Sequence, residues 1–230
     1  HVASHFVSQD DRSMGMMRAV LLALGVSAAS AQVLESFDGS HEWKEMNDPV
    51  MGGKSTGTFT VTNGVGVFNG TCAIVPSLSA PGFCSAQTQK SLFGKGFPDV
   101  SANLEGGISI TASTTTPSFG GFKVAFAAKG VPSASKYVPT GTFKAPFNMT
   151  GTAEQTVFVP FNQFSWDWSP YTGECDTKDP TGEQHVCCSD AHPEVCPQAQ
   201  HLATIQSIEV WAEGVEGEFG LEIKSIAAGP

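Results

Sequence analysis

The sequence predicts an all-β fold, a sandwich or jelly roll, and three observations predict it. Short apolar segments with period-two alternation recur along the chain, separated by clusters of turn formers. The composition holds 25 Gly, 14 Pro and 16 Phe with only 15% charged residues, which suits a turn-rich β protein better than a helical one. From Ser55 onward no stretch reads as a convincing amphipathic helix and no internal repeat is present. A chain of 230 residues accommodates one large β domain.

The elements follow in order. Residues 56–62 alternate, Asn63-Gly64 is a strong two-residue hairpin signal, and residues 65–68 return. Phe59 and Val61 on one side and Val65 and Val67 on the other keep period two, so one face of this hairpin is expected to bury. Further strands are expected at 72–75, 83–89, 107–112, 122–127, 140–145, 157–161, 205–211 and 219–226. About ten short strands with turns between them imply two packed sheets.

One stretch breaks the rhythm. Residues 169–200 have little periodicity, many turn formers and four of the six cysteines. A loop of this length in a compact domain needs something to tie it down, and disulfides would do so. Cys187 and Cys188 are adjacent and rarely pair with each other, so each is expected to join Cys175 or Cys196, in an order the spacing leaves open. Cys72 and Cys84 lie on neighbouring strand candidates and are expected to bridge. From Glu174 to Glu194 there are six carboxylates against one lysine, half of the formal net charge of −10. That charge argues against nucleic acid and anionic membranes as partners, since both attract Lys and Arg.

The N-terminus reads as targeting sequence. Arg18, the apolar run 19–26 and the small residues ending in Ala29-Ser30-Ala31 have the order of a secretory signal peptide, assigned to 16–31. Residues 1–15 precede Met16 and Met17 and are taken as leader, so the domain is expected over 32–230. The apolar run is too short to span a bilayer, and no transmembrane segment is expected in the mature chain. An even cysteine count and the sequons at Asn69 and Asn148 fit the same secreted or lumenal route.

Apparent catalytic and cofactor signatures lack the context their chemistry needs. Gly52-Gly53-Lys54-Ser55 resembles the end of a phosphate loop, but the first glycine of that motif falls on Asp48 and a hairpin follows instead of a helix. The same context rules out Ser55 as the nucleophile of a G-x-S-x-G elbow. Gly64, Gly66 and Gly70 miss the dinucleotide spacing. Cys175, Cys187, Cys188, His192, Cys196 and His201 lack the tight pairs of a zinc site, and Glu174, Asp176, Asp179 and Asp190 lack EF-hand spacing and read as a solvated acidic loop. No metal and no cofactor is expected. No carboxylate pair singles itself out for glycoside hydrolysis. Trp166, Trp168 and Tyr171, interleaved with polar residues after a strand, are the candidate ligand platform, because aromatic faces stack on sugar C–H surfaces and on peptide side chains.

Trp43 followed by Asn47-Asp48, Val50-Met51-Gly52-Gly53 and Ser55 resembles the signature of the complex I intermediate-associated protein 30 family. Val67-Phe68-Asn69-Gly70, Gly82-Phe83, Val159-Pro160-Phe161 with Phe164, and Gly217-Glu218-Phe219 with Leu221-Glu222-Ile223 resemble later family motifs in order, covering roughly 34–226. The resemblance implies a galactose-binding-like β sandwich without established catalysis, and assembly-factor roles for respiratory or photosynthetic membrane complexes. The secretory signal and the Cys-rich insert set this chain apart from those branches. The expectation is therefore a non-enzymatic secreted or lumenal module that binds a carbohydrate or protein partner through Trp166, Trp168 and Tyr171, with Asn47 and Asp48 as further contacts. The alternative is an assembly factor, as in the resembled family. Asp48-Pro49 and Gly52-Gly53 are otherwise expected to form an architectural corner.

Overall fold

The computed structural model describes residues 30–48, 52–89, 96–133 and 141–230. The expected leader, nearly all of the expected signal segment and Met51 of the signature lie outside the described residues. Eleven strands form in chain order: β1 Gln32–Glu35, β2 Trp43–Asn47, β3 Thr56–Thr62, β4 Val65–Cys72, β5 Phe83–Thr88, β6 Gly107–Thr114, β7 Phe122–Ala128, β8 Thr142–Pro146, β9 Gln155–Pro160, β10 Ile205–Glu213 and β11 Gly217–Gly229. One short helix, α1, spans Ala199–Leu202. A six-stranded sheet runs β3-β4-β11-β6-β9 with β1 added along β11, and a five-stranded sheet runs β2-β5-β10-β7-β8. All pairings are antiparallel, and the two sheets pack face to face as a jelly-roll sandwich.

The alternation of each strand explains its place. Phe122, Val124, Phe126 and Ala128 of β7 and Ile208, Val210 and Ala212 of β10 point into the core, where Ile108, Ile110, Leu221 and Ile223 of the other sheet meet them. Phenylalanines supply much of the volume, and Phe126 touches Phe143, Phe161 and Phe164 at ring separations of 5.2–6.0 Å. The Asn63-Gly64 turn takes φ of 51° and 75°, the paired positive values of a type I′ hairpin. On β4, however, Gly66 and Phe68 bury while Val65 and Val67 stay half-exposed. Phe59 pairs directly with Phe68, so bulk decides which face turns inward.

Three expectations need correction. Residues 72–75 are not a separate strand, because β4 runs through Cys72 and the chain then turns at Pro76–Leu78. The strands β1 and β2 escape the alternation rule, since β2 is an edge strand whose Lys44, Glu45 and Met46 are exposed. Cys72 and Cys84 are free rather than bridged. They belong to strands of opposite sheets, and the Cys72 thiol instead donates to the Gly82 carbonyl at 3.0 Å. Burial raises both thiols, Cys84 to about 12, which keeps them as inert core groups. The insert carries the expected kind of pairing, as Cys175–Cys187 and Cys188–Cys196.

Candidate functional site

The signature segment builds a corner. Asp48 at the end of β2 is buried, and its carboxylate accepts from the Ser55 amide at 2.8 Å, the Ser55 hydroxyl at 2.8 Å and the Phe83 amide at 3.2 Å. The Ser55 hydroxyl in turn accepts from the Ala73 amide at 3.0 Å. One carboxylate thus fastens the entry to β3, the start of β5 and the exit of β4. Gly52 sits at φ +88°, and a Cβ on Gly53 would collide with the Asp48 carboxylate. Asn47 donates to the Gly57 carbonyl at 2.9 Å. Trp43 stacks on Phe59 at 4.6 Å and donates to Glu35 at 3.1 Å.

The three platform aromatics separate. Trp166 packs on the core and donates to the Glu194 carbonyl at 3.1 Å. Tyr171 is half-buried within the insert, its amide donating to the Ser169 hydroxyl at 3.0 Å. Only Trp168 reaches the outer face of the five-stranded sheet, where it joins residues that no local motif singles out. The register explains who meets there. Glu209, Trp211 and Glu213 alternate along β10 on the face opposite Val210 and Ala212. Lys123 lies opposite Trp211 on β7, and Lys144 on β8 lies opposite Ala125.

The Lys144 ammonium sits 4.8 Å from the ring centres of both Trp168 and Trp211, and Lys123 sits 5.1 Å from Trp168. Glu213 neutralises both cations, at 2.5 Å from Lys144 and 2.8 Å from Lys123, and the Gly173 carbonyl of the insert accepts from Lys123 at 2.6 Å. Burial alone would raise Glu213, but the two ammonium groups outweigh it and hold its carboxyl below the ordinary range. Burial pushes Lys123 down and Glu209 up. Glu209 still accepts from the Trp211 indole at 2.9 Å, which fixes that ring.

The segment from Ser165 into the insert covers the β7–β8 half of this face. Ser165 exchanges backbone hydrogen bonds with Lys144 at 2.9 and 3.1 Å, extending the sheet edge, and every residue of β7 is buried on both sides. The β2–β5–β10 half is more open. Half-buried Phe83 and Trp211, 5.4 Å apart, lie beside exposed Met46 and Lys44, so a ledge of aromatic and apolar surface ends at the Trp168–Lys144 wall. Two clefts lie elsewhere among the described residues, one of about 400 Å³ beside His41 and one of about 580 Å³ beside the Cys188–Cys196 bridge; neither presents a Trp or Tyr face. The sequence signal for the ledge was the alternating Glu-Val-Trp-Ala-Glu of β10, with lysines next to buried phenylalanines in β7 and β8.

Within the insert, His185 is buried with its Nδ1 2.7 Å from Asp167 and its Nε2 3.0 Å from Asp179. Burial opposes charge on this imidazole, yet the hydrogen bonds to Asp167 and Asp179 outweigh it and raise its pKa. Asp179, expected in a solvated acidic loop, is buried and also accepts from the Ser169 hydroxyl. That hydroxyl faces a carboxylate rather than the imidazole, so the group is not a nucleophile–base pair.

The two-sheet jelly roll places the chain in the fold class of carbohydrate-binding modules. It is similar to the family 11 carbohydrate-binding module of a cellulosomal cellulase of Clostridium thermocellum, with TM-score 0.51 and 15% identity over 89% of this chain and 97% of that one. A second structure of a family 11 module from that organism, in complex with a β-1,3-1,4-mixed-linked tetrasaccharide, gives TM-score 0.49 and 15% identity over 88% and 98% of the chains. The chain belongs to the complex I intermediate-associated protein 30 family, whose sequence model matches residues 33–174. That match spans β1 to β9 and stops where the Cys-rich segment begins, short of the closing motif near Ile223. Among curated proteins no sequence relative matches. No helix among the described residues is long and apolar enough to cross a membrane.

Proposed function

We propose that this protein is a non-catalytic binding module of the secretory route that recognises carbohydrate on the outer face of the five-stranded sheet, without a cofactor. The observation that carries the reading is the fixed aromatic ledge: Trp211 is held by Glu209 and Lys144, Phe83 lies beside it, and Trp168 walls one end. Rigid, half-buried rings stack on sugar faces at low entropic cost, and the neighbouring Gln87 and Lys44 supply hydrogen-bonding groups for hydroxyls. The likeness in fold to a carbohydrate-binding module supports this, and the signal-like N-terminus supports the route. The sequon residues Asn69 and Asn148 are exposed, and the insert is disulfide-bonded, which fits the same compartment.

Glycan-array screening of the oxidised protein, followed by calorimetry on the hits, tests the reading. Trp211→Ala should weaken a true sugar ligand at least about tenfold, near 1.4 kcal/mol. No glycan binding, or binding indifferent to Trp211, would refute it. Family membership favours a second reading, a protein-binding assembly factor for a membrane complex, and co-purification of a partly assembled complex would select it instead.

A further inference from the structure

We infer that the insert carries a binding site for a divalent transition-metal ion, formed by Asp179, Glu183 and His185. This inference is independent of sugar recognition. It departs from the expectation of no metal because the three residues read as scattered acid and histidine until a hairpin brings them together. The Asp179 amide donates to the Glu183 carbonyl at 2.8 Å and the His185 amide to the Thr177 carbonyl at 2.9 Å. This two-bond ladder, with the Lys178–Gln184 bridge between, turns three donors toward one point. The His185 nitrogen and the two carboxylate oxygens all lie within 4.8 Å of one another.

The His185–Asp179 edge of the cluster matches zinc-like spacing, and the exposed Glu183 side chain, whose carboxylate lies within 4.8 Å, closes onto the ion by rotating about its own bonds. Two ligand atoms on one tetrahedral zinc, each about 2.0–2.1 Å from the ion, lie about 3.3 Å apart. The Nε2 of His185 and the Oδ2 of Asp179 are already 3.0 Å apart. The opposite nitrogen, Nδ1, faces Asp167 at 2.7 Å, and the second Asp167 oxygen accepts from the Val186 amide at 2.9 Å. That is the carboxylate–histidine arrangement by which an outer carboxylate orients an imidazole and raises its basicity toward a metal. Asp167 lies outside the ligand set, on the segment that follows β9, so it pins the hairpin from a different part of the chain. Asp179 is held in place by the Ser169 hydroxyl on its other oxygen.

Glu183 is exposed, which gives the ion an entry path and leaves a fourth position to water. One imidazole with two carboxylates selects zinc and its first-row neighbours over calcium, which takes six to eight oxygens. An insert with six carboxylates against one lysine attracts a cation from solution. The ion replaces the proton shared between Nε2 and Asp179, so a metal–ligand cluster ties the hairpin to the Asp167 segment where a hydrogen bond otherwise does.

Full-length protein with both disulfides intact is stripped with chelator and dialysed against Zn2+ at neutral pH, and bound metal is counted by elemental mass spectrometry. One equivalent is expected, with excess Ca2+ failing to displace it, and a Co2+-loaded sample should show visible d–d absorption. Glu183→Gln alters an exposed side chain and leaves the hairpin standing, yet should weaken zinc at least about tenfold. Asp167→Asn should weaken it about 10–100-fold with the ligands untouched. Well under one equivalent on the wild-type protein, displacement by calcium, or undiminished affinity in Glu183→Gln would overturn the site.

Discussion

The sandwich and its insert are ordered by opposite means. Between the sheets, rings and aliphatic chains such as Phe126, Ile110, Ile208 and Leu221 are fully buried, and the register of long strands keeps them there. In residues 169–200 the buried apolar contribution is small, essentially Val195, and the chain is held instead by two disulfides and by the Asp167–His185–Asp179–Ser169 group. Apolar burial scales with area and tolerates approximate geometry; a bonded polar network works only when every partner is present. The two regimes meet at Glu213, whose carboxylate binds Lys123 and Lys144 of the sandwich beneath Gly173 and Trp168 of the insert side.

The largest test of that contrast is Glu213→Ala. It removes the carboxylate that contacts both buried ammonium groups, and the expected loss is about 3–5 kcal/mol in denaturant unfolding, with a change in tryptophan fluorescence from Trp168 and Trp211. A loss under about 1 kcal/mol would mean that water, rather than Glu213, solvates these lysines. Next in size is removal of the Cys188–Cys196 bridge by paired serine substitution, expected to cost about 2–3 kcal/mol by freeing a short loop. Because the bridge lies within the insert, amide exchange should accelerate there while β10 and β11 keep their protection. Equal acceleration in both regions would erase the distinction.

The smallest effect concerns His201, at the junction where the insert returns through α1 to β10. Its Nδ1 accepts from the Gln198 amide at 3.0 Å, and burial pushes its pKa below the ordinary 6.5. The unfolded chain therefore takes up this proton before the folded one does. Above pH 6.5 neither state is charged and the group is neutral to stability; as pH falls below 6.5, stability drops, by at most about 1.4 kcal/mol per pH unit. His201→Gln keeps a capping acceptor and should flatten that part of the melting temperature profile between pH 5 and 6.5. An unchanged slope would assign the acid sensitivity elsewhere.

Strands with a buried face announce themselves. The segments that became β3, β6, β10 and β11 were legible because alternation records a half-buried surface, and β7, buried on both faces, showed as a short apolar run between turn formers. The strand β2 was not, since an edge strand with Lys44, Glu45 and Met46 exposed looks like a loop. Aromatic spacing pointed to Trp166, Trp168 and Tyr171, yet one ring went to the core, one to the sheet face and one into the insert. Local spacing cannot say which ring meets lysines that lie far away in sequence, such as Lys123 and Lys144. The same holds for Cys72 and Cys84, which lie on consecutive strands of opposite sheets.

The sequence by itself determined the all-β class, most strands, the family signature with its corner, and a loop needing disulfides. These follow from nearest-neighbour chemistry: period-two burial, turn residues with special φ, and cysteines too close to ignore. Only the tertiary structure decided which cysteines pair, that Asp48 is a buried fastener, and that Trp211, Lys144, Glu213 and Trp168 form one surface. It also decided that Asp179, Glu183 and His185 converge. Those outcomes depend on strand order and register, which bring together groups separated by tens of residues, and no local pattern encodes such distances.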